Sequence, residues 1–206
     1  YLKWMDTLPV MLEMDNFRVV HASFHPFMLN LMDQFKELYS EPFKQNAMMT
    51  EVGRGGTDWK IGSLEVSTII EETLKGIEVP LPDGVFFFDK ENNRRTKARA
   101  NWWFSPIDNT YDQYLEPYAA DSPELKNKKV DSSLIGKHFH GGYPVDEKPI
   151  FFGHYWLKMI DDKPRLQAPN VCCLDYSVAK KGHLVCYRYD NETVLSNDKF
   201  VYVESK

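Results

Sequence analysis

The sequence has no apolar run approaching the ~18 consecutive residues that a membrane-crossing helix needs. Its first residues, Tyr1-Leu-Lys-Trp-Met-Asp-Thr-Leu8, lack the basic, apolar and small-residue layout of a signal peptide. It therefore reads as a cytoplasmic protein with no membrane partner. Cysteine is scarce: three residues, an odd number, make no secreted disulfide framework, and no Cys-x-x-Cys spacing offers a structural zinc site. Cys172, Cys173 and Cys186 all fall in apolar, strand-like runs and are expected to be small buried hydrophobes. There is no basic excess either. With 25 Lys and Arg against 30 Asp and Glu, the net charge of −5 excludes the electrostatic footprint of a nonspecific nucleic-acid binder. An initiator Met is also lacking, and Leu2, Met5 and Leu8 share one face of an expected opening helix, so the chain is expected to belong to a longer polypeptide.

What is present is ordinary globular material: 206 residues, 43% hydrophobic and 14% aromatic, enough for one sizeable core. A single domain is expected over 1–206, with a flexible insertion around the polar stretch 105–147. Helical spacing marks Met28 to Tyr39 and Val66 to Leu74, the second helix stopping at Lys75-Gly76, where glycine supplies a left-handed C-terminal residue. Val10–Met14 and Phe17–His21 form an expected hairpin across Asp15-Asn16. Val79–Gly84 reads as a turn-rich connector, and Val85–Asp89 as a strand paired with 96–104. Strands are also expected at 150–155, 171–175, 183–189, 193–195 and 199–203, arranged as an antiparallel meander or hairpin pair. Helices early and strands late, without an internal repeat, point to an α/β (α+β) layered fold of sheets flanked by helices.

Two histidines stand out. His21 closes Phe17-Arg-Val-Val-His21 and His154 follows Ile150-Phe-Phe-Gly153, so each imidazole is expected at the rim of a sheet, where a neutral ring nitrogen can reach a metal or a phosphate. They lie 133 positions apart, and only a fold that joins the two strand ends makes them one constellation. Other candidates are weaker. Gly53-Arg-Gly-Gly56 lacks the strand before and helix after that a phosphate-cradling loop requires. His138-Phe-His140 sits in a glycine-flanked polar segment and reads as linker, with a zinc site shared with His21 as the competing account. His25, before Pro26, reads as structural, and His183 as packed in a sheet.

Val19-Val-His-Ala22, Leu74-Lys-Gly-Ile-Glu-Val-Pro-Leu-Pro82, Arg99-Ala-Asn-Trp-Trp103, Phe151-Phe-Gly-His-Tyr-Trp156, and Asn170-Val-Cys-Cys-Leu-Asp-Tyr-Ser177 with Lys181-Gly-His-Leu-Val-Cys-Tyr-Arg188 together resemble the calcineurin-like metallophosphoesterases. The similarity is closest to the bacterial diadenosine-tetraphosphatase-like group related to serine/threonine phosphatases. The resemblance implies a β-sandwich flanked by helices, with two divalent metal ions held in loops at strand ends. It places His21 and His154 as ligands of the second metal. It also implies that the general acid and the first metal's ligands lie on Asp-x-His, Gly-Asp-x-x-Asp-Arg and Asn-His-Glu motifs, none of which this sequence contains. The chain resembles the C-terminal portion of such an enzyme, and its catalytic acid is unassigned.

The implied activity is hydrolysis of a phosphomonoester or dinucleoside polyphosphate, with a phosphoprotein as a further substrate class, by a water activated between two metal ions. Mn²⁺ is the expected metal, with Fe, Zn²⁺ or Ni²⁺ also suited to such donors. Arg99 is a candidate phosphate clamp through bidentate guanidinium contacts, against the alternatives of stacking on Trp102 or pairing with a carboxylate. Lys75 is a second phosphate-binding candidate, although lysines also favour helix C-termini for dipole reasons. The competing function is a noncatalytic module that keeps the sandwich and binds a nucleotide or partner without turnover.

Overall fold

The computed structural model describes residues 4, 9–29, 60–61, 64–89, 92–107, 109–116, 119, 122–135 and 141–205. The opening helix, most of the helix expected from Met28, the Gly53–Gly56 loop, His138 and His140 lie outside these residues. The chain divides into two compact units, one formed by residues 1–75 with 148–206 and the other by 76–147. The fold is mixed α/β, mostly strands in several small sheets with few helices among the described residues. No described helix is long and apolar enough to cross a membrane.

In the first unit β1 (Met11–Glu13) and β2 (Arg18–Val20) form the expected hairpin, in the register Met11 to Val20 and Glu13 to Arg18. The Met14 N–H donates to the Phe17 carbonyl at 2.9 Å across Asp15-Asn16. Strands β3 (Lys60–Ile61) and β4 (Leu64–Glu65) lead into α1 (Val66–Lys75), whose Ile69, Ile70 and Thr73 are buried. It ends as its sequence foretells, with Gly76 at φ +90°, where an added Cβ would meet the Arg99 side chain.

The second unit holds β5 (Glu78–Pro80), β6 (Phe87–Phe88), β7 (Arg94–Arg95), β8 (Lys97–Arg99) and the one-turn α2 (Tyr111–Tyr114). Two sequence expectations are corrected here. Val79 and Pro80 belong to a strand, not a connector, and the partner of β5 is β8, whereas β6 pairs with β7. The reason is that Arg94-Arg95, just before the expected strand, takes the pairing with Phe87-Phe88, and the bend at Thr96 frees Lys97–Arg99 to pair with Glu78–Pro80. In the 105–147 stretch Tyr111, Tyr114, Leu115, Leu125, Val130, Ile135 and Tyr143 are buried. The Thr110 N–H donates to the Gln113 side chain at 3.1 Å, which caps α2.

Back in the first unit, β9 (Ile150–Phe152) lies between β2 and β10 (Val171–Cys173), parallel to both, giving the sheet order β1-β2-β9-β10. This corrects the expected antiparallel arrangement for 150–155 and 171–175, whereas the strands from Asp175 onward are antiparallel as expected. All three residues of β9 and all three of β10 are buried, and strands covered on both faces read as unbroken apolar runs without alternation to indicate direction. The apolar run after Asn170 is also split at Leu174: β10 ends, and β11 (Asp175–Tyr176) begins a separate antiparallel sheet with β12 (His183–Tyr187) and β13 (Phe200–Glu204). Residues 193–195 are not a strand; the Leu195 N–H donates to the Pro169 carbonyl at 2.7 Å and its side chain is buried. Phe151 and Cys172 of the first sheet pack in one cluster with Tyr176, Val185, Leu195 and Phe200. Cys186 is exposed, contrary to expectation, because on β12 it alternates away from buried Val185.

Candidate functional site

Three parallel strands, β2, β9 and β10, end at one edge of the four-stranded sheet, and the residues just past their C-terminal ends are His21, Gly153-His154 and Leu174-Asp175. In open sheets with parallel strands, ligands bind outside the carboxyl ends of the strands, because there the loops diverge and side chains point away from the ladder. The two imidazoles meet there. Their ring centroids are 5.1 Å apart with the planes tilted by 54°. His21 is exposed and His154 half-buried.

Backbone hydrogen bonds fix this approach. The Gly153 N–H donates to the His21 carbonyl at 3.0 Å, and the Leu174 N–H donates to the Phe152 carbonyl at 2.8 Å, so the three strand ends are tied to one another. His154 itself has φ +67°, and Trp156 has φ +49°. Left-handed backbone in a non-glycine residue costs roughly 1–3 kcal/mol and persists only where its surroundings hold it. Asp175 does that here: its carbonyl accepts the Leu157 N–H at 2.9 Å, and its carboxylate accepts the Trp156 N–H at 3.4 Å and the Ser177 N–H at 3.0 Å.

Below His21, the loop is docked on the last turn of α1. The Ala22 and Ser23 N–H groups donate to the Thr73 carbonyl at 3.0 and 3.2 Å, and the Ser23 hydroxyl donates to the Glu72 carbonyl at 2.5 Å. His25 is fully buried. Its Nδ1 accepts the Phe27 N–H at 3.2 Å, which leaves the proton on Nε2, 3.1 Å from the Glu72 carboxylate but off hydrogen-bond alignment. This contact between a buried imidazole and a half-buried carboxylate fixes the His21 loop to α1, and no local sequence pattern announces it: Glu72 lies 47 positions from His25.

The phosphate-binding candidates have different surroundings. Lys75 closes α1, with its ammonium 3.4 Å from Glu71 one turn back, the arrangement a helix C-terminus favours. Arg99, in the second unit, lies over Gly76 and its guanidinium is 3.8 Å from Glu116. Cys172 and Cys173 are buried beneath the strand ends, and burial pushes the Cys173 thiol up to about 12, so neither is a nucleophile at neutral pH.

Two imidazoles on one ion, each at the ~2.1 Å usual for zinc and similar metals, set their ring centroids about 5 Å apart, so the pair has the spacing of co-ligands. Two donors do not complete a coordination shell, and among the described residues no three His, Cys, Asp or Glu side chains cluster closely enough to hold a metal ion. Compared with protein-family models, curated proteins and solved structures, the chain matches none.

Proposed function

We propose that this chain carries half of the dimetal centre of a metallophosphoesterase, with His21 and His154 as nitrogen ligands of one divalent ion, Mn²⁺ by preference. The observation that carries the reading is the meeting of two imidazoles at 5.1 Å beyond the parallel ends of β2 and β9. Packing of the two sheets through Phe151, Cys172, Tyr176, Val185 and Phe200 supports a sandwich of the implied kind. The remaining carboxylate and amide ligands, and the general acid, come from a segment outside this chain.

A bound ion pair would polarise the phosphoryl oxygens and lower the pKa of a water that attacks phosphorus. The chain's own residues supply orientation. The bond from Gly153 N–H to the His21 carbonyl holds the two ring-bearing loops in register, Asp175 holds the left-handed turn after His154, and His25 with Glu72 fixes the base of the His21 loop. Arg99 and Lys75 enter as phosphate-binding side chains on their chemistry alone.

The test is Mn²⁺ binding by electron paramagnetic resonance, with p-nitrophenyl phosphate and diadenosine tetraphosphate hydrolysis run alongside. His21→Ala and His154→Ala should each weaken Mn²⁺ binding by more than the 10–100-fold typical of losing a mere supporting group, roughly. Undiminished binding in the double variant sinks the proposal and leaves a noncatalytic binding module. Hydrolysis by this chain that survives both substitutions would also refute it.

A further inference from the structure

Beside the histidine pair lies a second feature. A cavity of about 130 Å³ is lined by Trp156, Asp175, Ser177, Val178, Ala179 and Lys180. Its indole wall is unusual: Trp156 is 46% exposed, sits in left-handed backbone, and has the Lys180 ammonium 4.1 Å from its ring centroid. A bulky residue at positive φ is a rare arrangement, and this one leaves a large apolar ring in water, where burial would have stabilised it.

The opposite wall is equally constrained. Ser177 and Lys181 both adopt left-handed backbone at the two ends of the short turn Val178–Lys180. Gly182 closes that turn by donating to the Ser177 carbonyl at 2.9 Å, and a Cβ there would collide with the Tyr176 carbonyl oxygen. The turn joining β11 to β12 is thereby folded back to present Lys180 to Trp156. Asp175 belongs to both places: it lines the cavity, and it anchors the backbone that follows His154. Since Trp156 is two positions from His154, its Cα lies no more than about 7 Å from that of the histidine.

From this we infer that the Trp156–Lys180 cavity is a specificity subsite for a phosphate ester bearing a planar aromatic ring. The ring stacks on the indole face that the ammonium now covers, and the displaced Lys180 turns to the phosphate. The inference takes the phosphate from the phosphoesterase reading and depends on it only for that. An aryl phosphate and a nucleotide share the required chemistry, the first with the ring directly on the ester oxygen and the second with a ribose between.

The experiment measures dissociation constants of the 206-residue chain for two matched pairs, adenosine 5′-monophosphate against ribose 5-phosphate and phenyl phosphate against methyl phosphate. Each is measured with chelator and again with Mn²⁺. One aromatic member should bind about 5- to 150-fold tighter than its non-aromatic counterpart, the range found for a single stacked base. Trp156→Ala should erase that advantage to within twofold, Trp156→Phe should keep most of it, and Lys180→Gln, which removes the phosphate contact but uncovers the indole, should weaken the non-aromatic member and leave the aromatic advantage undiminished. The pair that shows the advantage names the source. If neither pair shows one, or if it survives Trp156→Ala or follows Lys180 instead, the subsite does not exist. Mn²⁺ binding is read in the same samples, so Mn²⁺ bound equally well without His21 and His154 defeats the metal centre while the matched pairs still decide the stacking platform.

Discussion

Strands β9 and β10 and strands β12 and β13 belong to the same unit and are all predominantly apolar, yet they are used differently. Every residue of β9 and β10 is buried, and these two strands run parallel to each other, β9 inside the sheet and β10 at its edge. On β13 only Phe200 is buried, and on β12 only Val185, so Leu184, Cys186, Val201 and Val203 face outward as cross-strand neighbours. Burial on both faces gives the parallel pair a rigid position from which the following residues can be aimed. The antiparallel sheet supplies one packing face and a turn. The candidate site sits at the ends of the rigid pair, while the second sheet contributes to it only through Asp175 and the turn at 177–182.

The sharpest way to break this contrast is Phe151→Ala, which removes a large aromatic ring that the first sheet contributes to the cluster joining the two sheets. It should cost about 3–5 kcal/mol, read as a lower urea midpoint. Next is His25→Ala, which leaves the half-buried Glu72 without its imidazole. It should cost about 1–3 kcal/mol in the same measurement, the range for leaving a buried polar group without its partner, and weaken Mn²⁺ binding through the loosened His21 loop, and a variant that loses stability but binds Mn²⁺ unchanged would separate the loop from the site.

The second sheet has its own sensitivity, to acid. Burial would raise the Glu192 carboxyl, but a hydrogen bond from Lys199, with others from the Asp190 and Glu192 backbone and the Tyr187 hydroxyl, brings it down to about 2. A carboxylate held below its unfolded value of 4.5 stabilises the fold above that pH, and the contribution disappears as pH falls from about 4.5 to about 2. Glu192→Gln should flatten the pH dependence of thermal unfolding in that window, and an unchanged slope would assign acid sensitivity elsewhere. The smallest effect is expected from Leu184→Thr on the outward face, within about 0.5 kcal/mol; a loss comparable to that of Phe151→Ala would show that this face is covered.

The sequence carried the local features well because each has a local cause. Asp15-Asn16 closes the first hairpin, Gly76 stops α1 because its φ is open only to glycine at little strain, and His21 and His154 can be placed at strand ends from the apolar runs before them. Elsewhere local signals were ambiguous. Arg94-Arg95 does not advertise a strand, and Cys186 reads as buried until the neighbouring Val185 is known to take the inward face. Nothing local marks Trp156 as a residue whose backbone turns left-handed and sets the ring outside.

By itself, then, the sequence determined the first hairpin, where one helix stops and that two imidazoles stand just past strands. Tertiary structure alone decided that β2 and β9 run side by side in the same direction, bringing rings 133 positions apart to 5.1 Å. The reason is that parallel pairing is set by long connections and by burial on both faces, and neither leaves a periodicity in the strands themselves.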